Sequence, residues 1–169
     1  MVKHSQLFID SLIHPKKLAA YRMLSIGKVI QYVFLLVSLV TIFSFAQFIT
    51  GLSDDAFNLE GLTKYVSDIR WLLYPFALII LILTTTMLIF IQISIYALVG
   101  VGILSLRKRR GEYRHIWRSS ALAITWSTLV SILFSFLPLH NLIGTLLGIV
   151  ITIILLCVAT TKYPKMPVK

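Results

Sequence analysis

Residues 71–106 read WLLYPFALIILILTTTMLIFIQISIYALVGVGILSL, and residues 107–118 after them read RKRRGEYRHIWR. The first stretch holds no Asp, Glu, Lys, Arg or His. Its 36 residues would reach about 54 Å as one helix, against about 30 Å for a bilayer core. The second stretch carries six Lys or Arg in twelve positions. An apolar run that ends in a basic run reads as a membrane span leaving on the side that retains Lys and Arg. The surplus length has two readings. Either a span closes near Ile93 and residues 96–106 continue as an interfacial or covered helix, or the chain folds back at Gly100 and Gly102 as a re-entrant pair of short spans.

Three more apolar segments flank this run. Val29 to Thr50 is uncharged and long enough to cross. Ser44-Phe45-Ala46 offers a small-residue cleavage site, but the segment before it is too long for a signal peptide. Ala121 to Leu137 and Leu142 to Thr161 form a third and fourth span, joined by a tight turn at His140-Asn141 behind Pro138. Gly51 to Arg70 reads as a polar loop. Its Asp54-Asp55 pair lacks the oxygen spacing of a calcium loop.

Charge sets the orientation. With four spans, one side receives Lys3, Lys16, Lys17, Arg22, Lys28, the six basic residues of 107–118, Lys162, Lys165 and Lys169. That is fourteen of the sixteen Lys and Arg, while four of the six acids fall on the other side. Short-loop Lys/Arg bias marks the cytoplasmic face, so both termini are expected there. Five spans would leave six basic residues outside.

Composition agrees. Of 169 residues 58% are hydrophobic and 13% charged, where soluble domains carry about 25% charge. The net charge of +10 sits on span flanks rather than on a polar scaffold. Its expected partners are therefore anionic lipid headgroups, not nucleic acid. The single cysteine, Cys157, lies in an apolar segment and reads as a small buried hydrophobe, with palmitoylation as the rival.

The expected architecture is all-α: a polytopic membrane protein of four transmembrane helices with an N-terminal amphipathic interfacial helix. Residues 1–28 form the cytoplasmic interfacial segment. Residues 29–161 form the membrane domain, with spans about 29–50, 71–94, 121–137 and 142–161, and 162–169 form a cytoplasmic tail. Leu7, Phe8, Ser11 and Leu12 share one face of the leading helix. Asp10 and His14 are spaced for a weak pair, and Pro15 suits the first turn of a second helical piece, Lys16 to Ser25.

Inside the spans the only ionisable groups are the Cys157 thiol and tyrosine phenols. Proton relays, voltage sensors and intramembrane proteases mark themselves with embedded Asp, Glu, Arg or His, and none is present. No catalytic, cofactor or metal site is expected. Ser127, Ser131 and Ser135 recur every four residues on the third span, and Gly144 and Gly148 form a Gly-x-x-x-Gly pair on the fourth. Small residues let helices approach closely in lipid, so these five are expected to pack a helical hairpin, with a homodimer face as the rival. Thr85, Gln92 and Tyr96 fall near one stripe of the second span. An interhelical hydrogen bond is the plain reading of Gln92, and a polar lining for a small-molecule path is the sharper one.

Two segments carry a family resemblance. Phe8-Ile9-Asp10-Ser11-Leu12-Ile13-His14-Pro15-Lys16-Lys17-Leu18-Ala19-Ala20-Tyr21-Arg22 with Ile26-Gly27-Lys28-Val29-Ile30-Gln31-Tyr32 is one, and Tyr113-Arg114-His115-Ile116-Trp117-Arg118 leading into a span is the other. Together they resemble a family of Gram-positive bacterial membrane proteins of unknown function, domain-of-unknown-function family 1189. Some of its members are labelled MalA or maltodextrin-utilisation proteins, and the family is distantly similar to the multipass Yip trafficking proteins. The resemblance implies a bacterial cytoplasmic membrane and brings no activity and no catalytic residues.

The expected function is a non-enzymatic membrane accessory or scaffold that binds another membrane protein, or itself, or organises anionic lipid. Arg107, Lys108, Arg109, Arg110, Arg114 and Arg118 would meet headgroups or a partner, and Tyr113 and Trp117 would anchor at the interface. The alternative is a component of an oligomeric transporter or channel built around Thr85, Gln92 and Tyr96. A lipid-modifying enzyme comes third, with only His115 and Glu112 as acid–base groups.

Overall fold

A computed structural model describes residues 4–57, 62–135 and 141–165. Among them the chain is helical, with one isolated bridge between Arg109 and Lys165 and no strand. In order come α1 (His4–Ile13), a 3-10 segment (Pro15–Met23), α2 (Ile26–Phe57), α3 (Leu62–Leu106), α4 (Tyr113–Ser135) and α5 (Asn141–Thr160). Four stretches are long and apolar enough to cross a membrane: Ile26–Gly51, Trp71–Leu106, Tyr113–Ser135 and Ile143–Thr160. The all-α, four-span class with a short N-terminal helix therefore holds. Pro138 and His140, where the sharp turn was expected, lie outside the described residues.

The structure decides three expectations. First, of the two readings of the surplus length, the covered helix holds and the fold-back does not. The run is one continuous helix through Gly100 and Gly102 to Leu106, because its last turns find cover. Gly100 sits so close to α4 that a Cβ there would be 2.5 Å from Ile116 Cγ2, and Ala97 and Leu104 are buried. Pro75 is carried inside the same helix without ending it, as membrane helices tolerate. Second, the polar segment 51–70 is largely helical, since α2 runs on to Phe57 and α3 begins at Leu62. No Pro or Gly interrupts 52–57, so the backbone ladder need not stop where apolarity does. Third, the leading helix is present and, with the 3-10 segment after it, packs into the fold. Leu7, Asp10, Ser11, Leu18 and Ala19 are all buried.

The chain divides into two compact units. Val37–Ile89 is one of them. There Phe45 meets Tyr74 edge-on at 6.3 Å, while Trp71, Phe76, Leu83 and Met87 are exposed apolar groups suited to lipid. Met1–Leu36 with Phe90–Lys169 is the other. Its centre is α4, in which every residue from Ser119 to Thr125 is buried. A helix buried on all sides over two turns is surrounded by neighbours, and here α5, α1 and the 3-10 segment all pack on it.

Helix packing follows the small residues. A Cβ on Gly148 would be 2.7 Å from Ser127 Oγ and 3.1 Å from Ser127 Cα, and one on Gly144 would be 2.6 Å from Phe134 Cβ. Both glycines and Ser127 are buried, whereas Ser131 and Ser135 are exposed. The contact stripe on α4 therefore runs through Ser127 and Phe134, seven residues or two turns apart. A four-residue repeat drifts off that line.

Candidate functional site

The N-terminal segment reaches its place through hydrogen bonds to α4. Trp126 Nε1 donates to Leu12 O at 3.1 Å, Ser119 Oγ to Leu18 O at 3.0 Å, and Arg118 Nη1 to Arg22 O at 2.9 Å. From residue 118 to 126 is about 12 Å along α4, so the 3-10 segment and the end of α1 line its first turns. Tyr32 on α2 sits 2.6 Å from Thr125 Oγ1 and 3.1 Å from Ser11 Oγ. Thr125 already donates to Leu122 O and Ser11 to Phe8 O. Tyr32 thus joins α1, α2 and α4 in one buried hydroxyl chain.

Asp10 organises the segment from within. Its carboxylate receives Lys17 Nζ at 2.8 Å and the Tyr21 hydroxyl at 2.5 Å, and His14 Nδ1 lies 3.2 Å away. The hydrogen bond from Lys17, then that from Tyr21, holds the Asp10 carboxyl below the usual carboxylate range in spite of burial. Burial and the same bond to Asp10 push the Tyr21 phenol up to about 12. The residues fall at 10, 14, 17 and 21, the spacing of one helical face, and the change to 3-10 geometry at Pro15 does not separate them.

The basic stretch 107–118 is sewn to the last turns of α5 and the chain just past it. Arg107 Nη1 donates to Cys157 O at 3.0 Å, Arg109 Nη1 bonds Tyr163 O, and the Arg110 amide donates to Pro164 O at 2.8 Å. Lys108 has a positive φ of 50° where the chain leaves α3. Gly111 then presses onto Leu104 and the Tyr163 ring, leaving no room for a side chain. Tyr163 joins a cluster of Ala19, Ala97, Leu104 and Ile116, with Val101 and Trp117 against it. Its hydroxyl lies 3.0 Å from Ser119 Oγ, and Arg22 stacks 5.1 Å from its ring centre. Burial raises the Tyr163 phenol against the opposing effects of Ser119 and Arg22.

The structure thus sorts the residues singled out in the sequence. Arg107, Arg109 and Arg118 use their guanidinium groups inside the fold, on Cys157, Tyr163 and Arg22. Lys108, Arg110, Tyr113 and Arg114 are exposed. Arg114 Nε pairs with Glu112 at 2.5 Å. Trp117 is half-buried and rests on Phe90 at 6.1 Å, which in turn meets Phe34 at 6.4 Å. On α3, Thr85 and Tyr96 are buried and Gln92 is half-buried. Cys157 is free and half-buried. No group of three or more His, Cys, Asp or Glu gathers among the described residues.

Two residues emerge that the sequence does not single out, Arg22 and Tyr163. They are far apart in the chain and adjacent in space. No local pattern joins them; only the closing of α4 and α5 onto the 3-10 segment does.

The fold and this junction define a multipass α-helical membrane protein whose leading segment, central basic loop and trailing segment meet at one end. Residues 51–160 match the family described as protein of unknown function (DUF1189), and the chain belongs to that family. No curated protein and no solved structure matches it.

Proposed function

We infer that the protein is a non-enzymatic scaffold of the bacterial cytoplasmic membrane, with both termini inside. It binds a second membrane protein or organises anionic lipid through the junction described above. The supporting observation is the sharing of labour among the basic residues. Arg107, Arg109 and Arg118 knit the junction, and this leaves Lys108, Arg110, Arg114, Lys162 and Lys165 exposed around it. Near an anionic leaflet each exposed Lys or Arg contributes about 1 kcal/mol, and a fixed platform makes those contributions simultaneous. The side that carries them is the cytoplasm by the Lys/Arg bias. Catalysis finds little support, since Glu112 is paired with Arg114.

The test is purification of the tagged full chain from native membranes in mild detergent, followed by native mass and lipid analysis. A stoichiometric second membrane protein, or a shell enriched in anionic lipid, is expected. The rim variant K108Q/K165Q should lose it. A wild-type chain with no partner and with lipid of bulk composition would contradict the reading.

A further inference from the structure

One cleft in the junction differs from the open basic surface around it. Its volume is about 380 Å³, and it lies between the end of the 3-10 segment, residues 110–115 and the chain just past α5. Arg22 and Arg110 give it a cationic lining, His115 a polar one, and Met23, Tyr163 and Pro164 an apolar one. Glu112 shares the rim, but its carboxylate is matched by Arg114 Nε at 2.5 Å. Among the described residues neither Arg22 nor Arg110 has a carboxylate partner.

Both arginines are pre-positioned. The Arg22 guanidinium lies over the Tyr163 ring, 5.1 Å from its centre, and its carbonyl is held by Arg118 at 2.9 Å. A guanidinium held by a cation–π contact has less freedom to lose on binding an oxyanion. Arg110 is carried on backbone fixed by its bond to Pro164 O and by the packing of Gly111 on Leu104 and Tyr163. A second hollow of about 290 Å³ adjoins through Arg22 and Met23 and adds Lys162 and two alanines, Ala19 and Ala20. Fixed cations beside apolar wall suit an amphiphile with a compact anionic head.

We propose that this cleft binds one anionic phosphate group, either a lipid headgroup or a free phosphate ester, between Arg22 and Arg110. Met23 and Pro164 lie against the apolar part of a lipid ligand. Such a site rests on the lipid-organising reading above and narrows it from a charged surface to a stoichiometric pocket.

The full chain in neutral detergent is titrated with dihexanoyl phosphatidic acid, with inorganic phosphate and with dihexanoyl glycerol, which lacks phosphate. Native mass spectrometry reads the adducts. A one-to-one phosphatidic acid adduct is expected, weakened about tenfold in R22Q and in R110Q by loss of one charge-assisted hydrogen bond. The rim variant K108Q/K165Q should keep it, because neither residue lines the cleft and the Arg114–Glu112 pair stays intact. Failure of the surface reading and failure of the pocket are thereby told apart. Inorganic phosphate binding with the same arginine dependence assigns the site to free phosphate; binding of phosphatidic acid alone assigns it to lipid. Equal binding of dihexanoyl glycerol, or wild-type affinity in R110Q, overturns the proposal. Arg110 is exposed and its bond into the fold is made by its backbone, so R110Q folds even where R22Q does not.

Discussion

The Tyr21 hydroxyl donates to Asp10 Oδ2 at 2.5 Å, while Lys17 Nζ holds Oδ1 at 2.8 Å. This buried carboxylate closes α1 onto the 3-10 segment, and that segment in turn forms one wall of the basic junction. Asp10→Ala leaves a phenol and an ammonium without their acceptor. A loss of about 1–3 kcal/mol in the docking of the N-terminal segment is expected. Hydrogen exchange of residues 7–22 measures it, and unchanged protection there would refute the role given to Asp10.

The same pair sets a pH window. The folded Asp10 carboxyl titrates below its unfolded value of about 3.9. Its contribution is therefore complete above that pH and fades as the pH falls through the lower folded value. Tyr21 acts in the opposite sense. Its folded phenol keeps the proton to about 12, against about 10 when unfolded, so its contribution is complete below pH 10 and is lost towards 12. Protection of residues 7–22 should be flat between about pH 5 and 9 and fall at both ends. Asp10→Asn should abolish the acid limb.

Gly148 and Ser127 set the distance between α5 and α4. Gly148→Ala brings a methyl group to 2.7 Å from Ser127 Oγ and 3.1 Å from its Cα. The second contact is backbone and cannot rotate away, so a cost of about 1–3 kcal/mol is expected in detergent melting. Adding Ser127→Ala should recover only part of it. Gly102→Ala meets nothing within 4 Å and should be neutral or stabilising by up to about 1 kcal/mol through helix propensity.

Ser119 and Ser120 are adjacent and both buried, yet their substitutions should diverge. Ser119 Oγ donates to Leu18 O and meets the Tyr163 hydroxyl, so Ser119→Ala removes two buried hydrogen bonds, with only the longer contact to His115 O left to the phenol, and should cost about 1–3 kcal/mol. Ser120 Oγ is buried with no hydrogen-bond partner. Ser120→Ala removes an unsatisfied group and should leave stability unchanged or higher. Thermal melting of the two variants side by side decides it.

Much of this fold is written in apolar run length and Lys/Arg placement, because a bilayer demands both. The four spans, the basic 107–118 loop and the Gly144–Gly148 contact are legible that way. The fate of Tyr96 to Leu106 is not, since a surplus apolar helix has no local reason to run straight rather than turn. What decides it is Ile116 fitting against Gly100, a contact between distant segments. The junction was half legible. Its charges stand out in sequence, but which of them are consumed depends on carbonyls at Arg22, Cys157 and Tyr163. The Asp10, His14, Lys17, Tyr21 face carried a readable spacing that Pro15 concealed, because a proline argues for a break.

The proposed function requires the leading segment, the 107–118 loop and the trailing segment to face the cytoplasm together. The direct measurement is labelling of intact cells with a membrane-impermeant maleimide, in a Cys157→Ala background. Ser25→Cys, Lys108→Cys and Lys165→Cys report on the three segments, and Asp68→Cys on the opposite side. Label on the Asp68 variant alone, with the other three reacting only after the cells are opened, is the predicted result. Labelling of Lys108→Cys or Lys165→Cys in intact cells would contradict it.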